Sequence, residues 1–317
     1  MGIANYIREI GRGKEGARSL NQVQAHDLMS QVLDGKVTDL EIGAFALAMR
    51  IKGESVAELA GFLQATHERC IPVQPAGPTV LLPSYNGARK LPNLTALLAL
   101  LLAQEGVHVL VHGPAQDAGR VTTAEIFHNL GLPVARDGNE VAHAWARREP
   151  VFMHTESLCQ PLARLLEVRR VVGLRNSGHT IAKLLNPCHG GAVMRVVNYT
   201  HPEYATLLAD FMAHSGGNAL LLRGTEGEPV ADPRRSPKLD VFVAGQARTD
   251  LSRAALEGVL TALPLLPRSF DAATTAVYIQ SVVSGEKPAP APVTQQVECL
   301  VRALAAPELG AAQERTA

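Results

Sequence analysis

Thr79-Val80-Leu81-Leu82 and Val107-His108-Val109-Leu110-Val111 are short aliphatic runs, and between them the stretch from Leu94 through Gln104 is almost wholly apolar. A helix that is apolar nearly all round has to be buried, and a strand, helix, strand succession buries it on one face of a parallel sheet. Ala192–Val197, Ala219–Leu222 and Val241–Ala244 read as further strands of the same sheet.

The chain does not begin that way. From Asn21 to about Cys70 the apolar residues recur at helical spacing (Val23, Leu28, Val32, then Ile42, Phe45, Ala46, Met49), with breaks at Asp34-Gly35 and Gly53. Thr38 before Glu41 and Ser55 before Glu58 have the spacing of capping boxes. Pro72, Pro75, Gly77 and Pro78 then form a linker into the strand pattern. Glu140 to Arg170 reads as helical again, broken at Pro150 and Pro161, which makes the expected domains discontinuous. The expectation is a small α-helical bundle of residues 1–73 with about 135–178, and an α/β domain of residues 79–134 with about 179–317 built on a mainly parallel central sheet. From about Ser284 a Glu-Lys-Pro-Ala-Pro-Ala-Pro connector leads to one more amphipathic helix and an Ala/Glu-rich tail.

Composition narrows the function classes. The 317 residues carry 30 Lys and Arg against 30 Asp and Glu, so any polyanion site must be a local patch. Cys70, Cys159, Cys188 and Cys299 are scattered without C-x-x-C spacing, which fits reduced thiols in a cytoplasmic protein. The N-terminus has no signal-peptide core and no apolar run reaches spanning length, so no membrane partner is expected. The histidines show no H-E-x-x-H spacing, and neither a G-x-S-x-G elbow nor a Walker loop occurs, which leaves metal, hydrolase and P-loop chemistry without an anchor.

Ser84-Tyr85-Asn86-Gly87-Ala88-Arg89-Lys90 follows the first strand, where an α/β enzyme would place a phosphate loop. Such a loop uses glycines to bring its N–H groups onto the anion. With one glycine and two cations, the expectation here is a lost cradle and a retained positive charge. Asn93, Thr95, His112 and Gly113 stand at the neighbouring strand and helix ends. A second constellation is Arg164, Arg169, Arg170, Arg175 and Lys183, relieved only by Glu167, which can hold phosphates or form a solvated helix face. Arg234, Arg235 and Lys238, and Arg12, Lys14 and Arg18, are smaller clusters of the same kind. Gly224-Thr225-Glu226-Gly227-Glu228 offers two carboxylates, for Mg²⁺ or for a turn.

The helical module, the strand–loop–helix, His112-Gly113 and the run from Gly173-Leu174-Arg175 to Asn186-Pro187 together resemble anthranilate phosphoribosyltransferase. In that family a Gly-Thr-Gly-Gly-Asp loop takes the diphosphate of phosphoribosyl pyrophosphate; Pro83, Ser84, Tyr85, Asn86 and Gly87 stand on those positions, none of them retained. The family's Asn-Ile-Ser-Thr appears as Asn93-Leu94-Thr95-Ala96, its Lys-His-Gly-Asn-Arg as Val111-His112-Gly113-Pro114-Ala115, and its magnesium-holding Asp-Glu as Pro229-Val230. The family's arginine that meets the aromatic acid matches Arg169.

Ile10-Gly11-Arg12-Gly13-Lys14, Pro83 to Lys90, Arg175-Asn176-Ser177, His201-Pro202-Glu203-Tyr204 and Gly224 to Glu228 resemble more closely the YbiB-type branch of this superfamily of glycosyltransferase family 3 and class II nucleoside phosphorylases. That resemblance implies homodimers, paired through the helical domain, that bind DNA or RNA without sequence preference. The contacts expected from the Arg/Lys clusters are Arg89, Lys90, Arg169, Arg170, Arg175, Lys183, Arg234 and Arg235, beside a vestigial cleft of Ser84, Tyr85, Asn86, Gly87, Asn93, Thr95, His112 and Gly113. No catalytic residue and no cofactor is expected. The alternative is a pentosyltransferase using Mg²⁺ and phosphoribosyl pyrophosphate.

Overall fold

The computed structural model describes residues 2–13 and 15–309; Lys14 and the last residues of the Ala/Glu-rich tail lie outside them. These residues divide into two compact units, 2–71 with 155–187 and 72–154 with 188–309. The first stretch holds helices α1 (Ala4–Ile10), α2 (Gln22–Leu33), α3 (Asp39–Lys52) and α4 (Val56–His67). The second holds β1 (Thr79–Pro83), α5 (Thr95–Gln104), β2 (His108–Gly113), α6 (Thr123–Leu130), β3 (Val134–Ala135), α7 (Gly138–Ala146) and β4 (Val151–His154). The chain then returns to the helical unit for α8 (Thr155–Leu158), α9 (Gln160–Val172) and α10 (Gly178–Ala182). It ends in the sheet unit with β5 (Val193–Tyr199), α11 (Glu203–Ser215), β6 (Ala219–Arg223), β7 (Leu239–Val243), β8 (Gln246–Ala247), α12 (Ala272–Val283) and α13 (Ala291–Leu304).

In the helical unit both capping boxes form: Thr38 and Glu41 start α3, and Ser55 and Glu58 start α4. Each satisfies N–H groups that the first turn of a helix leaves without partners. Helices α2 and α4 pack closely at Gly61, where a Cβ would strike the carbonyl of Gln22. Phe45 and Phe62 meet edge to face at 5.8 Å in the same unit.

The sheet runs in the order β3-β4-β2-β1-β5-β6-β7-β8. All neighbouring pairs from β3 to β6 are parallel, and β7 and β8 add an antiparallel edge. Val80, Leu82, Val109, Val111, Met194, Val196, Leu220 and Leu222 line one face and share a core with residues of α5, α6, α12 and α13. That burial is why α5 tolerates its apolar sequence: Leu94, Ala96, Leu97, Leu98, Ala99 and Leu102 are all inaccessible.

The domain boundaries differ from the sequence expectation. Residues 135–154 belong to the sheet unit, because Val151-Phe152-Met153-His154 forms β4 against β2 and α7 packs on β2, β3 and β4. A four-residue apolar run carries no period that separates strand from helix, so it reads as part of the helical stretch. Residues 179–187 stay with the helical unit, where α10 packs on α9 and α4. No described helix is long and apolar enough to cross a membrane.

Candidate functional site

The carboxyl ends of β2, β1, β5 and β6 lie side by side in the sheet, and the loops leaving them meet. Ligands of open parallel sheets bind at this edge. At the end of β2, Gly113 lies against the backbone of Ser84, where a Cβ would overlap the Ser84 carbonyl oxygen. Helix α6 opens with a capping box of Thr122 and Glu125, which puts Thr123 on its first turn, 2.7 Å from the Ser84 hydroxyl. Asn93 accepts from the N–H of Thr95 at 3.1 Å and donates to Thr123 at 2.9 Å. The loop after β1 is tied to the segment before α6 by paired backbone bonds of Ala88 and Val121, at 2.9 and 2.8 Å.

The cradle is present, contrary to the expectation of its loss. The N–H groups of Asn86 and Gly87 both donate to Oε1 of Glu228 at 2.7 Å. Oε2 of Glu228 accepts from Ser84 Oγ and lies 3.4 Å from Thr95 Oγ1 and 3.3 Å from Thr123 Oγ1. Further along, the N–H groups of Arg89, Lys90 and Leu91 converge on the carboxylate of Glu226, with shortest distances of 3.2, 2.8 and 2.9 Å. Gly87, at φ +65°, supplies the left-handed turn that points its neighbours' N–H groups inward. One glycine suffices because the anion is a side chain of the same chain, held without the room a free diphosphate would need.

Gly224 to Glu228, read from sequence as a magnesium site or a turn, is a turn whose two carboxylates face the loop. Residues Thr225–Gly227 form one 3₁₀ turn, with Glu226 itself in the left-handed region at φ 52°. Gly227, at φ +87°, admits no Cβ, which would run into the Asn86 side chain. Gln296 of α13, fully buried, holds the chain just beyond by donating to the Pro229 carbonyl at 3.0 Å and accepting from the Ala231 N–H at 2.9 Å. Glu228 is inaccessible to solvent; the Glu226 side chain keeps 15% of its surface. Among the described residues no group of three or more His, Cys, Asp and Glu side chains could hold a metal ion.

Ser84, Tyr85, Asn86, Gly87, Asn93, Thr95, His112 and Gly113, the expected cleft residues, are all buried, and the structure does bring them together. His112 is inaccessible, with Nδ1 3.0 Å from the Tyr85 hydroxyl. Burial, reinforced by the positive charge of Arg195, pushes its imidazole down to about 3. The ring is therefore neutral. Sequence reasoning missed Thr123 and Arg120, the latter donating to the Gly87 carbonyl at 3.1 Å and lying 3.9 Å from Glu226. The capping-box spacing of Thr122 and Glu125 was the available signal for Thr123; nothing local marks Arg120.

The expected cations fall into separate groups. Arg89 and Lys90 are exposed on the cradle loop. Arg234 pairs with Asp232 at 3.1 and 3.0 Å, and that hydrogen bonding raises its guanidinium pKa, with the nearby charge of Glu226 acting in the same direction. Arg235 lies 4.0 Å from the same Asp232 and Lys238 2.9 Å from Asp240, so the positive run read from sequence at 234–238 is largely neutralised. In the helical unit, Arg170 is exposed and paired with Glu167 at 2.8 Å. Arg169, Arg175 and Lys183 are instead near enough to His179 for their charges to act on it. Its imidazole is pushed down to about 3, by burial first and then by Arg175, Arg169 and Lys183.

Residues 4–70 match the helical bundle domain of the glycosyl transferase family. The chain is 40% identical over 302 residues, 94% of its length, to a protein of Escherichia coli (strain K12) named "Uncharacterized protein YbiB", 93% of which is covered. The chain belongs to the YbiB-type branch of the anthranilate phosphoribosyltransferase-like superfamily. A member of the wider group, anthranilate phosphoribosyltransferase from Symbiobacterium thermophilum, is 28% identical over 224 residues, which span 70% of this chain and 64% of the relative. Among solved structures, the anthranilate phosphoribosyltransferase (TrpD) of Thermus thermophilus superposes with a TM-score of 0.69 at 19% identity, covering 96% of this chain and 91% of that one. The fold is that of TrpD, a helical bundle with an α/β domain on a mainly parallel sheet.

Proposed function

We propose that this YbiB-type chain binds nucleic-acid backbones without sequence preference and does not transfer phosphoribosyl groups. The reading is supported by Arg169, Arg175 and Lys183 of the helical unit, partly exposed cations whose charges all reach His179 and lower its pKa. Three cations whose charges reach one histidine give a local positive field suited to phosphate, although the whole chain is neutral. Arg89 and Lys90 add exposed charge in the sheet unit.

The donor set at the sheet edge does not fit the magnesium and phosphoribosyl pyrophosphate of the alternative reading. The N–H groups of Asn86 and Gly87, on the positions that would face a diphosphate, already carry Glu228, and the carboxylates of Glu226 and Glu228 are turned to N–H donors rather than toward a metal. Stabilising a departing diphosphate needs preorganised donors or a cation aimed at it. Assays with anthranilate and phosphoribosyl pyrophosphate should accordingly show no turnover; product formation that disappears in Arg169→Ala would overturn the reading.

The direct test is fluorescence anisotropy with labelled single- and double-stranded oligonucleotides over a salt series. Binding by phosphate neutralisation should weaken linearly in log salt, with a slope of about −0.9 per contact on duplex. Arg169→Glu/Arg175→Glu should bind at least about tenfold more weakly and show a shallower slope. A flat salt dependence, or an unaffected double variant, would refute the mechanism.

A homodimer through the helical unit belongs to the same proposal. Leu40, Leu47 and Ile51 are 84, 47 and 60% exposed on α3, and their spacing of seven and four residues puts them on one helix face. Light scattering should give a dimer for the native chain and a monomer for Leu47→Glu/Ile51→Glu. A dimer that survives both charges would place the interface elsewhere.

A further inference from the structure

Glu226 is an unusual side chain to find in a turn. Its backbone sits in the left-handed region at φ 52°, which L side chains rarely adopt, yet its carboxylate collects the consecutive N–H groups of Arg89, Lys90 and Leu91. Successive N–H groups turned to one point form an anion nest. The cations around it match: Arg120 lies 3.9 Å away, Arg234 is close enough for Glu226 to raise its pKa, and Arg89 and Lys90 are exposed on the nest's own residues. Unlike Glu228, which is inaccessible, Glu226 reaches solvent.

The geometry points to a second anion site, formed by the N–H groups of residues 89–91 with Arg120, in which Glu226 is a built-in occupant that a phosphate group can replace. This site is separate from the Asn86–Gly87 pair, which Glu228 holds in the interior. It is also independent of the cations around His179, which lie in the other unit. A tetrahedral phosphate oxygen has the acceptor capacity and charge of the carboxylate it displaces, and the guanidinium of Arg120 can follow it. In the native chain the internal carboxylate competes at all times, so the apparent affinity for a free anion is reduced by the fraction of molecules in which Glu226 has swung out.

The experiment compares the native chain, Glu226→Ala, Glu226→Gln and Glu226→Ala/Arg120→Ala by isothermal titration calorimetry with inorganic pyrophosphate. Parallel anisotropy measurements use a short labelled oligothymidylate. Glu226→Ala should bind pyrophosphate at least about tenfold more tightly than the native chain, Glu226→Gln should lie between them, and removal of Arg120 should abolish the gain. Pyrophosphate should also raise the melting temperature of Glu226→Ala more than that of the native chain at the same concentration, a readout that survives if the alanine variant is destabilised. A gain with pyrophosphate alone identifies a free anion as the occupant, and a gain that extends to the oligonucleotide identifies a backbone phosphate. No gain with either ligand in folded Glu226→Gln and Glu226→Ala, or equally tight binding by the native chain, overturns the site. Loss of nucleic-acid binding in Arg169→Glu/Arg175→Glu reports on the other unit and leaves this result untouched.

Discussion

Glu228→Ala is expected to lower the unfolding free energy of the sheet unit by about 3–5 kcal/mol. The carboxylate accepts from the N–H groups of Asn86 and Gly87 and from the hydroxyl of Ser84, with those of Thr95 and Thr123 also in reach, all in the interior. The hydroxyls can turn to one another, since Ser84 and Thr123 are already 2.7 Å apart. The two N–H groups cannot turn. Each buried donor left without an acceptor costs about 1–3 kcal/mol, and the emptied side-chain volume adds to that. Glu228→Gln keeps an oxygen for the N–H pair while its amide NH₂ meets hydroxyls that can accept, so its loss should be smaller, about 1–2 kcal/mol. Urea titration followed by circular dichroism checks both through the midpoint at constant slope. A loss under about 1 kcal/mol in Glu228→Ala would mean that water reaches these donors and that the loop is open.

The second large effect is on pH. His112 and His179 are both pushed down to about 3, from an ordinary value of 6.5. In the unfolded chain each takes up a proton near 6.5 that the folded chain refuses until about 3. The unfolded state binds more protons across that window, so the stabilisation is complete above 6.5 and is lost as pH falls. Each histidine contributes up to about 1.4 kcal/mol per pH unit there. Glu54 acts in the opposite direction: burial raises its pKa above 4.5, so its protonated folded form gains relative stability in acid. Asp34, held at about 2 by Arg69 and Lys36, enters only below 3.8. The histidines therefore dominate from 6.5 down to the Glu54 range. Unfolding titrations at stepped pH should show the decline in both units, and His112→Gln should reduce it in the sheet unit alone, leaving the part due to His108, whose pKa burial also lowers. A stability that is level between about pH 6.5 and 5 would show both rings to be solvated.

Local chemistry told much of this in advance. The capping boxes at Thr38 and Ser55, the buried α5 and the strands at β1, β2, β5, β6 and β7 follow from periodicity and terminal side chains, because those signals act over a few residues. Strands β3 and β4 were not legible, being too short to carry a period, and they moved the boundary of the helical unit. The candidate site divides in the same way. That Ser84 to Lys90 and Asn93 to Thr95 gather at a strand end was readable, since the strand–loop–helix order demands it.

By itself, the sequence determined that a parallel sheet with a buried crossover helix follows a helical module, and that the loop after β1 carries one glycine and two cations. Only the tertiary structure decided what that loop holds. Glu226 and Glu228 are distant in sequence from their N–H partners, with separations of 135 to 142 residues, and only the placement of β6 next to β5, one strand from β1, carries them there. Backbone donors have no residue identity, so no motif announces that they are filled; a carboxylate becomes their ligand through register and strand order alone.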